Sequence, residues 1–288
     1  MEYEPKIIPE GINTAREHPL REFAVLVFGL ALVIVVVTGL LAVSMDFLIR
    51  YIPLDKENEW FSSEMLTGNN VEAPNTGTPL EAEVEQHLQR LIEQLQQEEK
   101  PGYRFTVTLL HDEVPNAFVI PGGHIFVTAG LLDSVESENG LAMVLAHEMG
   151  HQYHRHPLRS LGRGIVISLA LMAISGTDSG GLVESFVVDT ATLTNLGFSR
   201  EQEREADLLG VDLLIRHYGH ANGSSEFFET INKQPKAASE VPGFLSTHPG
   251  IDERIAMLRD HIGQVSYPTI PLPGVIGQYL DSTAIKHQ

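Results

Sequence analysis

Residues 141–157 read LAMVLAHEMGHQYHRHP, and inside that stretch His147, Glu148 and His151 form the pattern H-E-x-x-H. On a helix, positions four apart lie on one face, so the two imidazoles can grip one metal ion. Glu148 sits about 100° further round, within reach of a metal-activated water without being a ligand. In a chain of this composition roughly 0.05 such matches arise by accident. The competing reading, a solvated His-rich helix, is disfavoured by the apolar Leu141, Val144 and Leu145 that lead into the motif.

Two histidines leave zinc short of its usual three protein ligands plus water. A metzincin would continue with Gly at 154 and His at 157, whereas this chain has His154 and Pro157. The chain contains no cysteine, so any third ligand is a His or a carboxylate, and a cysteine nucleophile or disulfide framework is excluded. Residues 199–207, SREQEREAD, supply candidates. Glu203 and Asp207 share one helical face, while Glu201 and Glu205 point elsewhere. Glu203 as ligand, with Asp207 accepting a hydrogen bond from a ligand imidazole, satisfies both zinc and histidine. An acidic solvated face is the plainer reading of that segment, outweighed by its pairing with H-E-x-x-H.

The expected organisation is an N-terminal tail (1–22), a transmembrane helix (23–45), a juxtamembrane linker (46–78), a folded domain (79–262) and a Pro/Gly-rich tail (263–288). Residues 23–45, FAVLVFGLALVIVVVTGLLAVSM, carry no charge. As a helix they reach about 34 Å, enough for a hydrocarbon layer of about 30 Å. The run is too long for the h-region of a signal peptide. A cell-membrane protein with a single pass through the lipid bilayer is expected. The basic residues Lys6, Arg16 and Arg21 before the span, against Arg50 and Lys56 after it, favour a domain outside the cytoplasm. The formal charge of −19 excludes nucleic acid as partner.

Within the folded domain, Leu80, Val84, Leu88, Leu91, Ile92 and Leu95 repeat at helical spacing. A strand is expected over 103–110, and AFVI-PGGH-IFVT (117–128) reads as a hairpin. A helix across 139–156 is expected to stop at Pro157. The apolar run 164–177 is too short to span a bilayer alone, and a second run covers 182–198. Both read as core-packing helices, with a flap or membrane-touching segment as the alternative. Ser199 and Gln202 fit a capping box, Gly219 a helix stop, and helices are expected over 224–232 and 248–262. His111, His124, His154 and His156 read as surface or hydrogen-bonded histidines.

Four motifs in order, NAFVIPGGHIFVTAGLL (116–132), H-E-x-x-H, SREQEREAD and STHPGIDERI (246–255), resemble the zinc metallopeptidase family of the CAAX prenyl protease, HtpX and BepA over about residues 79–262. The resemblance implies a zincin-like, gluzincin-type fold of the α+β class, mainly α with a small β-sheet beside the active-site helix. It implies one Zn²⁺ per chain, with Glu203 as third ligand, and polypeptide substrates. By the same resemblance Asn116, Ala117 and Phe118 match the edge strand offered to the substrate backbone, and His248 and Arg254 match a motif near the cleft. For the oxyanion donor His248 and Arg254 are candidates, with Tyr153 and Tyr218 also open. The single span and the lack of helical repeats argue against prenyl-protein processing and repeat-mediated partner binding. The function expected is a membrane-anchored zinc endopeptidase for misfolded or membrane-associated proteins, with Glu148 as general base; the rival is a chaperone-like binding module with a structural or latent metal site.

Overall fold

The structure is a computed structural model that describes residues 18–61, 77–96, 102–175, 197–233, 243–263 and 267–284. The expected second apolar run, 182–198, lies almost wholly outside the described residues, as do most of the N-terminal tail and residues 62–76 of the linker. Helix α1 (Pro19–Leu48) opens on a proline, whose missing N–H costs nothing in a first turn. It is apolar on nearly every side and largely exposed.

The segment after α1 is not an open linker. A 3₁₀ turn (Ile49–Tyr51) leads into α2 (Leu54–Trp60), and Ile49, Glu57 and Phe61 are buried. The Glu57 carboxylate accepts from the Gly122 N–H at 3.3 Å and from Gln152 Nε2 at 2.7 Å, with Arg155 Nε 3.4 Å away. Arg155 also donates to the carbonyls of Ile49 and Ile52, at 2.7 and 2.6 Å. The described part of the expected linker is therefore stitched to the domain through Glu57 and Arg155.

Helix α3 (Pro79–Gln96) buries Val84, Leu88, Leu91, Ile92 and Leu95, as their spacing requires. Strands β1 (Thr106–Leu110), β2 (Ala117–Ile120) and β3 (His124–Thr128) form a sheet in the order β1-β3-β2. The hairpin pairs β2 with β3 antiparallel, Phe118 opposite Phe126, and β1 runs parallel to β3. At the turn, Gly123 has φ 84° and a Cβ there would collide with the Arg104 carbonyl, so glycine is required. Alternation along β2 sends Ala117 and Val119 into the main core and Phe118 and Ile120 into a second cluster with Ile49, Phe61, Phe126, Leu158 and Leu161. The juxtamembrane segment thus covers the outer sheet face.

After α4 (Ala129–Ser134), helix α5 (Glu138–Tyr153) starts on Ser137, whose hydroxyl accepts from the Gly140 N–H. The sequence reading carries this helix to His156 and stops it at Pro157. Instead it ends at Tyr153, Arg155 takes a left-handed φ of 56°, and α6 (His156–Ser175) begins. Pro157 stands in the first turn of α6, where no N–H is needed, so it starts a helix. Helix α7 (Arg200–Tyr218) has the capping box of Ser199 and Gln202 and ends at Gly219, φ 79°. Helices α8 (Glu226–Lys233), α9 (Gly243–Thr247), α10 (Ile251–Ile262) and α11 (Gly274–Ala284) follow. The last corrects the expected C-terminal tail: Ile276 and Tyr279 are buried against the core, and α11 packs on α3 and α4. Two side chains in a Gly/Pro-rich stretch are too few for a periodicity to show.

Candidate metal centre

Helices α5 and α7 pack closely at two glycines. A Cβ on Gly150 would lie 2.8 Å from the Ala206 carbonyl oxygen, and one on Gly210 would lie 3.3 Å from the His147 backbone nitrogen. This approach brings the carboxylates of α7 to the imidazoles of α5. His147 Nε2 and His151 Nε2 stand 3.0 Å apart, and Glu203 lies 3.6 Å from the first and 3.4 Å from the second. Four-coordinate zinc with bonds of about 2.0–2.1 Å needs donor separations of about 3.3 Å. The Glu203 carboxylate is buried, with Arg254 Nη1 2.6 Å from its Oε2 and, among the described residues, no hydrogen-bond partner on Oε1. Lone pairs facing one another at such distances fit a divalent cation between them, so the donor set suits zinc.

The outward nitrogens fix which lone pairs face inward. His147 Nδ1 lies 2.8 Å from Asp207 Oδ1, so its hydrogen belongs there and Nε2 is free to coordinate. His151 Nδ1 meets His156 Nδ1 at 3.0 Å, and His156 Nε2 meets Glu205 Oε2 at 3.0 Å. The arrangement is self-consistent when His151 donates to His156 and His156 donates to Glu205. Phe198 stacks on the His151 ring with centroids 3.9 Å apart. Neither His156 nor Glu205 is legible as a site residue in sequence: they are 49 residues apart, and a helix break separates His156 from the motif.

Glu148 is buried beside these ligands, with the Val119 backbone and His248 Nε2, 3.6 Å away, as polar neighbours. Burial, and then the neighbouring Glu203, push its carboxyl well above the usual range. Burial holds His147 and His151 well below the usual imidazole range, with Arg254 adding to the effect, so both favour the neutral, ligating form. Burial also raises Glu203, against the pull of His248 and Arg254.

The remaining expected residues are placed as follows. Arg254 donates through Nε and Nη2 to both Asp207 oxygens, at 2.7 and 2.8 Å, and its Nη1 is 2.6 Å from Glu203 Oε2. Its guanidinium lies 4.6 Å over the Phe228 ring. It therefore braces the acidic residues of α7. His248 stacks on Phe244 at 4.1 Å, and its Nδ1 is 3.1 Å from the Phe244 carbonyl. The Thr247 hydroxyl lies closer to the same nitrogen, at 2.8 Å. His248 Nε2 is 3.6 Å from Glu148 Oε1, and the ring lies in one group with His147, His151 and Glu203. Tyr153 packs with Tyr103 and Phe105 in the core, and the Tyr218 hydroxyl donates to Glu138, nine residues before His147 on α5. Neither faces the metal group.

Asn116, Ala117 and Phe118 sit at the start of β2, an edge strand of the described sheet that packs against α5. His124 bonds the Phe61 carbonyl at 2.7 Å and His111 pairs with Glu81 at 2.9 Å, structural roles as expected.

Residues 79–262 match Peptidase family M48. The chain is 32% identical over 158 residues to the mitochondrial metalloendopeptidase OMA1 of Schizosaccharomyces pombe, covering 54% of this chain and 46% of the relative. It is 29% identical over 169 residues to the human mitochondrial metalloendopeptidase OMA1, covering 54% and 32%. With the beta-barrel assembly-enhancing protease of Escherichia coli it shares 26% identity over 188 residues, covering 61% and 37%. The chain spans less than half the length of these relatives.

Proposed function

Because this chain belongs to peptidase family M48, we propose that it is a zinc-dependent metalloendopeptidase, anchored in a cell membrane by residues 23–45, that hydrolyses peptide bonds in misfolded or membrane-associated proteins. One observation carries the reading: a buried Glu148 stands beside two imidazoles and a carboxylate at zinc-like separations. A structural metal site has no use for such a base.

A zinc ion held by His147, His151 and Glu203 would supply acidified water, with a pKa of about 7, and a polarised scissile carbonyl. Glu148 takes the proton of the attacking water. It then delivers that proton to the leaving amine. Asp207 and His156 orient the ligand rings, and Arg254 neutralises the charge of Glu203 and Asp207. The edge of β2 at Asn116–Phe118 binds the substrate backbone by strand addition, which reads main chain more than side chains. The charge balance about α1 supports a catalytic domain outside the cytoplasm.

A second reading has one observation in its favour. Four donors, His248 included, make the closed set of a structural zinc site. This would suit a chaperone-like module with a latent centre. The Glu148→Gln protein separates the two. Cleavage of casein should fall by about 10²–10⁴-fold while metal content stays at that of the parent. Equal cleavage by both proteins overturns the mechanism. A parent that binds zinc and unfolded chains but never cleaves them establishes the rival.

A further inference from the structure

Helix α1 is exposed over most of its surface, but Ile34, Thr38, Ala42 and Met45 are half-buried at helical intervals. That stripe faces α6, which packs along α1. The contact is anchored at Gly162, where a Cβ would lie 2.9 Å from Met45 Cγ and 3.2 Å from Ile49 Cδ1. The start of α6 therefore meets the end of α1, and α6 runs back along it. From Ile49 to Ile34 the stripe extends about 22 Å, comparable with the rise of α6 beyond Leu158.

A polar boundary marks this pair of helices. Arg163 Nη1 lies 3.3 Å from Asp46 Oδ2. On one side of it are residues 23–45 of α1 and 164–175 of α6, neither with a charged side chain. On that same side Ile167, Leu169, Leu171 and Ile174 of α6 are 46–62% exposed, continuous with the exposed apolar surface of α1. The expected reading of 164–177 as a core-packing helix thus holds only for the residues that face α1 and the second cluster. Residues 164–175 reach about 18 Å as a helix, past the middle of a 30 Å hydrocarbon layer but short of crossing it.

We propose that the C-terminal half of α6 enters the hydrocarbon layer beside α1, its outward face covered by lipid acyl chains, so that the catalytic centre is held at the bilayer surface. This rests on the reading of α1 as a membrane span. A helix packed against the buried length of a spanning helix shares its solvent, and charge-free apolar side chains suit that solvent. The first residue of α6, His156, touches the metal ligand His151. From His156 to Gly164 is about 12 Å along the helix. The substrate class follows: polypeptide segments that lie within roughly that distance of a membrane, such as the flanks of membrane-embedded helices.

The chain has no cysteine, so single probes can be placed in the full-length protein. Leu171→Cys and Ile174→Cys on α6, Val35→Cys on α1 and Glu93→Cys on α3, all at exposed positions, are labelled with an environment-sensitive fluorophore. The labelled proteins are reconstituted in phosphatidylcholine vesicles with or without chain-doxylated lipid. Quenching at positions 171 and 174 should match that at 35 and exceed that at 93 several-fold. Quenching at 35 with none at 171 and 174 overturns the insertion of α6 and leaves the anchor standing. No quenching at any position overturns the membrane anchor, and the inference with it.

Discussion

The least expected contact in the centre is between two histidines. His151 carries a ligand lone pair inward and leans outward on His156, which in turn leans on Glu205. Without that partner the His151 ring keeps its stack on Phe198 but loses the group that fixes its tautomer. His156→Ala should weaken zinc binding by about 10–100-fold, the usual cost of removing a hydrogen-bond partner of a ligand histidine. Chelator competition at constant pH measures this, and His156→Gln, which can still accept at that distance, should recover part of the loss. Spacing could not have revealed the pair. His147 and His151 are legible because four residues of helix place them by local geometry alone, whereas His156 lies past a left-handed residue and Glu205 on another helix.

At the scale of elements, the metal group exists because α5 and α7 touch backbone to backbone. Gly150→Val would drive its side chain into the Ala206 main chain, which cannot yield as a flexible side chain would. The expected cost is about 1–3 kcal/mol, or roughly 2–4 °C in Tm for each kcal/mol, read by calorimetry. Because α7 carries Glu203 and Asp207, the same variant should also bind less zinc. The element boundaries set by local chemistry were readable: the capping box at Ser199, the stop at Gly219, the Pro-Gly-Gly turn of the hairpin. The boundary at Tyr153 was not, since Pro157 is compatible with ending one helix or starting another, and only the packing of α6 against α1 decides.

At the scale of the whole molecule, both ends of the described chain are tied into the domain. Ile270 accepts from the Glu138 N–H at 2.8 Å and donates to Asn139 at 2.8 Å, which fastens the C-terminal segment to the start of the active-site helix. Tyr279 of α11 is 1% exposed. Tyr279→Ala should therefore destabilise the domain by about 3–5 kcal/mol, the range for a buried aromatic cut to alanine, and denaturant titration checks it. A free tail would give no shift. At the other end, Glu57 and Arg155 fasten the segment after α1 to the turn that joins α5 to α6, so α1 and α5 are linked through that turn.

What the amino-acid order determines alone is what depends on neighbours a few residues apart. This covers the charge-free apolar run, the two histidines one helical turn apart, the caps and turns, and, through His and carboxylate without cysteine, the kind of metal site that can form. Glu203 belongs partly to that set, because its face is shared with Asp207. Tertiary structure decided the rest. It buried Glu57 in a polar stretch, folded the C-terminal segment onto the core, turned Arg254 inward to Asp207 and Glu203, and set His248 among the donors. Each of these outcomes pairs groups tens of residues apart. Their energies come from desolvation and from partners supplied by other elements, and no local pattern records which partner will arrive.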